Sequence, residues 1–282
     1  MTDSYATDPR AARQPLGTAP FDGATFDEAP FDRAAPAPVN APAPVTAPAR
    51  GPLPVRCVLF DFDGPVCALF RNHPAPDVAA RLLAALPGPV REAVAPEGGV
   101  PVTDPQAVLR AVGALAPGSA RVAEVEARLT EEEIRASESA VPTRNAAELI
   151  RALAQAGVAL AVTTNNSPRA VRRYLDRTGL TPYFGGHVYG RRPDPGLLKP
   201  DPDCLRRALR WTGVPADEAA MIGDAEADFR AADRLGVGFL GYAARETKSE
   251  ALYEAGARVV VDELPDSVQK LAAQLRQLQR QR

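Results

Sequence analysis

Residues 55–64 constrain this chain more than any other stretch, because a short apolar run ends there in two carboxylates, as VRCVLFDFDG. A run of this length and character is typical of a strand buried on both faces of a parallel sheet. Asp61 and Asp63 would then lie at the carboxyl end of the strand, where open α/β sheets bind their ligands. Two acids at a buried strand end repel each other unless a cation compensates or they share a proton. We therefore expect a cation here, and Mg²⁺ is the simplest candidate because it prefers oxygen ligands.

Beyond residue 142 the chain alternates between strand-like and helix-like segments. Further strands are predicted at residues 158–163, 187–189, 219–222, 237–240 and 258–261. Helices are predicted at residues 145–156, 168–179, 199–211, 225–236 and 264–278. Alternating β and α units imply an α/β fold, with a parallel sheet and helices on both of its faces.

Residues 66–141 interrupt this alternation and contain no convincing strand. Three helices are predicted there, at residues 76–86, at 105–116 after the N-cap Asp104, and from residue 120 after the N-cap Ser119. Inserted directly after the first strand, they would form a small helical domain that covers Asp61 as a lid. The predicted organisation is therefore a core of residues 51–66 and 142–282, a cap of residues 67–141, and a tail of residues 1–50.

The tail is rich in proline and alanine and has almost no large aliphatic residues. Such a segment cannot bury enough apolar surface to offset its ordering entropy, which predicts disorder. Phe-Asp recurs within it at 21–22, 26–27 and 31–32. The repeat is either a docking motif for a partner or a feature of a low-complexity tail, and composition favours the second interpretation.

Composition and charge exclude several classes of protein. The net charge of -2 gives no electrostatic basis for binding nucleic acid or an anionic membrane. No apolar run approaches the roughly 18 to 20 residues that span a bilayer, and the N-terminus does not resemble a secretory signal. Cys57, Cys67 and Cys204 lack metal-site spacing, which favours free thiols in a reducing cytoplasm. We therefore expect a cytoplasmic protein whose partner is a small molecule.

Four predicted loops bring polar groups to one edge of the sheet. They carry Asp61 with Asp63, Thr164 with Asn165, Lys199, and Asp224 with Asp228. This set suits the transfer of a phosphoryl group, because a carboxylate can attack phosphorus and hold it as an aspartyl-phosphate. The charge on the transferring group can be balanced by Mg²⁺, a lysine and backbone N–H groups at a helix N-terminus.

Lys199 is notable because arginine supplies nearly all of the positive charge in this chain. There are three lysines, at positions 199, 248 and 270. Where arginine is the default cation, a lysine within the four-loop pattern indicates that a compact ammonium group is needed there.

In order and spacing, these residues resemble the four motifs of the haloacid dehalogenase-like hydrolases. The motifs are DFDG at 61–64, a strand ending in Thr164-Asn165, Lys199-Pro200, and GDAEAD at 223–228. The chain is most similar to the phosphoglycolate phosphatase-like branch, which has a helical C1-type cap after the first motif. The resemblance covers residues 55–262 and leaves the tail unexplained. It implies a Rossmann-like core, a Mg²⁺ cofactor and hydrolysis of a small phosphate ester.

The resemblance also implies a role for each matching residue. Asp61 would be the nucleophile, and Asp63 the general acid and base that protonates the leaving oxygen and then activates water. Thr164 and Asn165 would bind the phosphoryl oxygens, and Lys199 would bridge the nucleophile and the phosphate.

The same resemblance implies the metal ligands. Asp61, Asp224 and the backbone carbonyl of Asp63 would bind Mg²⁺, with Asp228 as a further ligand or a support. An acid at position 63 argues against dehalogenation, which needs no proton donor. One departure is Pro65, where the family commonly has threonine or a small residue, in the turn that joins core to cap.

The sequence leaves open the roles of three other arginines and two alternative functions. Arg71 could pair with a carboxylate or a second phosphate of the substrate, although a solvated hinge is the favoured interpretation. Arg191 and Arg192 are expected to face solvent. Within the family, a β-phosphoglucomutase-like phosphomutase is the alternative activity. A non-catalytic binding protein is the rival from another class, and the intact Asp63 and Lys199 argue against it.

Overall fold

A computed structural model describes residues 54–280, with side chains up to residue 277. The strands are β1 (Cys57–Phe60), β2 (Cys67–Ala68), β3 (Val141–Pro142), β4 (Ala159–Thr163), β5 (Val188–Tyr189), β6 (Ala219–Gly223), β7 (Gly238–Tyr242) and β8 (Val260–Val261). The α-helices are α1 (Ala75–Ala84), α2 (Gly88–Val94), α3 (Pro105–Leu115), α4 (Ala120–Ser139), α5 (Ala146–Gln155), α6 (Pro168–Thr178), α7 (Thr181–Phe184), α8 (Asp203–Thr212), α9 (Glu226–Asp233), α10 (Glu246–Ala255) and α11 (Val268–Arg280). The predicted tail and its Phe-Asp repeats lie outside the described residues.

Six parallel strands form the main sheet, in the order β5-β4-β1-β6-β7-β8. β1 lies between β4 and β6, so the chain builds the sheet first to one side of β1 and then to the other. The strand order reverses at this point, and the crevice outside the carboxyl ends of such strands is where ligands bind. The α/β fold with a parallel sheet is confirmed.

β1 is the buried centre of the core. All four of its side chains are buried, and they alternate between two apolar clusters on opposite faces of the sheet. Val58 and Phe60 pack into one cluster, and Cys57 and Leu59 pack into the other. Because both faces are covered, the strand has to be apolar throughout, and the first polar side chain, Asp61, follows where the strand ends.

The helices inserted between β2 and β3 pack around a third apolar cluster, which also includes Leu198 from the loop before Lys199. Its members include Val78, Leu82, Leu109, Val112, Val125 and Leu129. The predicted N-caps are confirmed, since Asp104 accepts the Gln106 N–H at 2.8 Å and Ser119 accepts the Val122 N–H at 3.4 Å. We call helices α1 to α4 the cap helices.

Several short elements escaped the sequence analysis. The insertion holds a fourth helix, α2, and its ends form the two-residue antiparallel pair β2–β3, where no strand was expected. Two-residue strands have no periodicity to detect. Helices α7 and α10 were also missed, and α10 buries a single side chain, Leu252, so it has no apolar stripe at helical spacing.

Within residues 54–280, no helix combines the length and the apolar character that a membrane crossing requires.

Candidate active site

The four predicted loops meet in one cavity of about 970 Å³. Its core side includes Asp61, Asp63, Thr164, Asn165, Lys199, Asp224 and Asp228. Its opposite side comes from the beginning of α3, residues 103–106 and Arg110. The structure therefore brings together the site residues predicted from the motifs, beneath the cap helices.

A buried lysine lies at the centre of the site. The Lys199 ammonium donates to Asp61 Oδ1 at 2.8 Å and to the Thr163 carbonyl at 3.1 Å, and it contacts Asp228 Oδ1 at 2.5 Å. Burial lowers the pKa of Lys199, but the carboxylates of Asp228 and Asp61 outweigh burial and raise that pKa above its usual value. A permanently charged ammonium is thus fixed against the Asp61 carboxylate.

Asp228 organises the site from the first turn of α9. Its Oδ2 accepts the backbone N–H groups of Asp224 and Ala225, each at 3.1 Å, while Oδ1 contacts Lys199. Both carboxylate oxygens are therefore engaged by this chain. Asp228 holds the loop of Asp224 and orients Lys199.

Asp63 lies two residues beyond Asp61 in a different environment. Its Oδ1 accepts the Leu69 N–H at 2.8 Å. Burial raises the pKa of Asp63 to about 7, and the carboxylates of Asp224 and Asp61 add to the rise. A carboxyl group with a pKa near neutrality can both donate and accept a proton, as a general acid and base must.

The residues present suit a hard divalent cation. Asp61, Asp224 and Asp228 each offer a carboxylate oxygen, and these atoms lie within 4.8 Å of one another. Since Asp228 is engaged on both oxygens, Asp61 and Asp224 are the acids that fit the ion best. Gly64 has φ +125°, and a Cβ there would overlap the Asp224 carboxylate, so a glycine is needed for Asp224 to enter the site. An all-oxygen donor set of this kind suits Mg²⁺.

The loop after β4 lines the cavity, but its side chains are partly committed to this chain. The Asn165 amide accepts the Lys199 backbone N–H at 2.7 Å and donates to the Lys199 carbonyl at 3.3 Å. The Thr164 hydroxyl donates to Asn166 Oδ1 at 3.0 Å and accepts the Asn166 N–H at 3.1 Å. Asn165 therefore fixes the position of Lys199.

Arg191 was expected to face solvent, and that prediction is wrong. Its side chain is fully buried and forms a two-point ion pair with Glu133 of α4. It also contacts Glu126 at 3.1 Å and donates to the Asn165 carbonyl at 3.0 Å. The sequence pattern did not indicate the burial of Arg191, because its partner Glu133 lies 58 residues away. Glu133 also belongs to a run of three consecutive glutamates, which is typical of an exposed helix face.

Four further cations line the cavity and were not predicted as site residues, namely Arg110, Arg230, Arg234 and Lys248. Two of them contact predicted site residues. Lys248, from the first turn of α10, contacts Asp224 Oδ2. Arg110, from α3, donates to the Lys199 carbonyl at 3.2 Å. Because α10 was not predicted, nothing in the sequence pattern associated Lys248 with the sheet edge.

The remaining candidates lie elsewhere. Arg71 is exposed between β2 and α1, and it is not among the described residues that line the cavity. Arg192 is exposed and lies 3.8 Å from Asp203. Cys67 is buried in β2, where burial and the nearby Asp63 raise the pKa of its thiol. A thiol that stays protonated is a poor nucleophile, which agrees with a structural role.

The order of these motifs along the chain also identifies the family. The family model of the haloacid dehalogenase-like hydrolases matches residues 55–236, well over half of the chain. The chain belongs to this family. The match begins at β1 and ends just after α9, so it spans all four loops of the site.

Among curated proteins, the haloacid dehalogenase-like chain is similar to phosphoglycolate phosphatases. It is 30% identical over 121 residues to that of Pseudomonas savastanoi pv. phaseolicola, a match that covers 42% of each chain. It is 38% identical over 93 residues to that of Rhodospirillum rubrum, which covers 32% of this chain and 36% of the relative. The matched region thus spans less than half the length of these relatives.

Solved structures of the same fold extend over more of the chain. A conserved haloacid dehalogenase-like protein of unknown function from Agrobacterium tumefaciens has a TM-score of 0.54 at 22% identity, covering 80% of this chain and 99% of its own. CbbY from Rhodobacter sphaeroides, solved in complex with phosphate, has a TM-score of 0.52 at 21% identity, covering 74% and 94%. At these identities the likeness supports the fold.

Proposed function

We propose that this protein is a Mg²⁺-dependent phosphatase that hydrolyses a small phosphomonoester through an aspartyl-phosphate on Asp61. The observation that carries the proposal is the contact of the Lys199 ammonium with Asp61 Oδ1 at 2.8 Å. Asp63, two residues further along the same loop, has a pKa of about 7. A fixed cation beside a carboxylate and a proton carrier on the same loop are what phosphoryl transfer by covalent catalysis requires.

In the first step, an Asp61 carboxylate oxygen attacks phosphorus and the bond to the leaving oxygen breaks. Asp63 gives its proton to that oxygen, so the alcohol leaves neutral. Lys199 balances negative charge on the nucleophile and on the transferring group. Asp61 and Asp224 would hold Mg²⁺, which when bound neutralises further charge on the phosphoryl oxygens.

In the second step, the Asp63 carboxylate removes a proton from water, and the water oxygen attacks phosphorus. The bond to Asp61 breaks, inorganic phosphate leaves, and Asp61 returns as a carboxylate with Asp63 protonated. The pKa of about 7 at Asp63 supports both directions of transfer near neutral pH.

We further propose that the cap, residues 67–141, selects the substrate. Residues 103–106 and Arg110 line the cavity opposite Asp61. The Arg110 guanidinium is 36% exposed and lies 3.6 Å from the exposed Asp104 carboxylate. A second anionic group of the substrate can compete with this long, exposed contact, which favours a short phosphoester that carries a carboxylate. Phosphoglycolate, the substrate in the names of the curated relatives, has this chemistry and is the first to test.

The free cysteines are in keeping with a reducing cytoplasm.

The test is release of inorganic phosphate by the purified full chain from phosphoglycolate, sugar 1-phosphates and an aryl phosphate, with Mg²⁺ or with a chelator. We expect release with Mg²⁺ and its loss both in chelator and in Asp61→Asn. Isomerisation of a sugar 1-phosphate without release of phosphate would instead favour the phosphomutase. Binding without any turnover would favour the non-catalytic alternative.

A further inference from the structure

Lys248 is a second lysine at the four-acid cluster, which consists of Asp61, Asp63, Asp224 and Asp228. It belongs to a helix outside the four motifs. It lies in the first turn of α10, after β7, and its ammonium contacts Asp224 Oδ2. The side chain lines the cavity and is 44% exposed, whereas the Lys199 side chain is 2% exposed. One lysine is thus fixed in the interior, and the other reaches the acids from the cavity on a stem that can move.

The position of Lys248 has no local explanation. A positive side chain in the first turn of a helix opposes the helix dipole, which favours acids there. Two of the three lysines in the chain contact the same four-acid cluster, while the third, Lys270, pairs with Asp266 on the surface at 2.6 Å. The interaction with Asp224 is therefore what holds Lys248 in this place.

We propose that Lys248 is a tethered counter-cation that competes with the divalent metal for Asp224 and so sets the metal affinity of the site. This inference rests on the proposed role of Asp224 as a metal ligand. The Lys248 ammonium contacts Asp224 Oδ2, so a divalent ion that binds Asp224 would lie close to a second positive charge. Repulsion between the two cations opposes metal binding unless Lys248 moves away from Asp224.

The charges at the site support this competition. Four acids, Asp61, Asp63, Asp224 and Asp228, line the cavity, and the fixed cation Lys199 contacts only Asp61 and Asp228 among them. Lys248 supplies positive charge at Asp224, and repulsion among the acids rises if it is removed. Its long, partly exposed stem allows it to leave without disturbing the core.

The test measures Mg²⁺ binding to the full chain by calorimetry, without substrate. Removing the ammonium in Lys248→Met should tighten Mg²⁺ binding about twofold to fivefold, the scale expected for a partly exposed ion pair. The matched control is Lys270→Met, which removes a surface ion pair and should leave the affinity unchanged. Unchanged or weaker Mg²⁺ binding in Lys248→Met would overturn the inference.

Melting temperatures measured with and without Mg²⁺ distinguish a change in metal affinity from a folding defect. In chelator, Lys248→Met should melt at a lower temperature than the unsubstituted protein, and added Mg²⁺ should raise its melting temperature by more. Lys248→Gln should behave in the same way, and an equal rise in all three proteins would contradict the competition.

The failure of this inference can be told apart from failure of the proposed metal site. Asp224→Asn should abolish Mg²⁺ binding if Asp224 is a ligand. If that variant binds Mg²⁺ normally, the proposed site is wrong. If it loses binding while Lys248→Met is unchanged, the site stands and the competition by Lys248 is refuted.

Discussion

Arg191 and Glu133 form a two-point ion pair in the interior, with Nη1–Oε1 at 2.8 Å and Nη2–Oε2 at 3.0 Å. Glu133 also accepts the Asn166 amide at 3.0 Å and the Ser167 backbone N–H at 2.8 Å, and Arg191 donates to the Asn165 carbonyl. One ion pair therefore links cap helix α4 to the loop after β4, which lines the cavity.

Arg191→Met should lower the free energy of unfolding by about 3–5 kcal/mol, because Glu133 would be left buried and unpaired. Denaturation by urea measures this change. The matched control is Arg173→Met, which removes an exposed ion pair between Arg173 of α6 and Glu138 of α4. This change should cost about 0.5 kcal/mol or less. Equal stability of the two variants would show that the buried pair does not hold the loop. Replacing both partners, as Arg191→Met with Glu133→Leu, should restore part of the loss.

Two arginines of the cap, Arg71 and Arg110, should differ in their effect on substrate binding. Arg110→Ala should raise KM for a phosphoester with a second anionic group by about tenfold or more, the scale of a hydrogen bond to a charged group. An aryl phosphate without that group should be much less affected. Arg71→Ala should leave both KM values within about twofold, since Arg71 is exposed and outside the described lining of the cavity. Steady-state kinetics on both substrates decides this, and a larger effect at Arg71 would contradict it.

The raised pKa of Asp63 predicts how the stability of the metal-free protein depends on pH. Between about pH 4 and pH 7 the folded protein retains a proton on Asp63 that the unfolded chain has released. The free energy of unfolding should therefore fall as the pH rises through this window, by about 2 kcal/mol after allowance for partial exposure.

Urea denaturation in chelator at pH 5 and pH 7.5, on the unsubstituted protein and Asp63→Asn, isolates this contribution. The variant cannot ionise at this position and should show a smaller fall. Burial lowers the pKa of His187 to about 4 and raises the pKa values of Asp228 and Asp224. These three groups are present in both proteins, so the difference between the two proteins reports on Asp63. Identical pH dependence in the two proteins would show that Asp63 is not held protonated.

The sequence predicted the sheet because its strands are buried on both faces and read as continuous apolar runs, as Val58 and Phe60 do within β1. It also placed Asp61 and Lys199 at one edge, because parallel strands end at the same side. These predictions depend on local pattern and on topology.

What the sequence could not predict depends on long-range contacts. Arg191 looked like a surface charge because its partner is 58 residues away, and burial of such a pair depends on how α4 packs against the core. Lys248 was missed because α10 buries one side chain and carries no detectable period. Both residues belong to the site through tertiary packing, which overrides the usual preference of charged side chains for solvent.

The central claim is that Asp61 takes the phosphoryl group, and it is tested most directly in Asp63→Asn with an aryl phosphate and Mg²⁺. The aryl leaving group needs little protonation, so the first step should proceed, while loss of the base should slow the second. After an acid quench, mass spectrometry of the peptide that contains Asp61 should show the added mass of one phosphoryl group, located on Asp61. Phosphate release by this variant without any modification of Asp61, or a phosphoryl group on a different residue, would contradict the account.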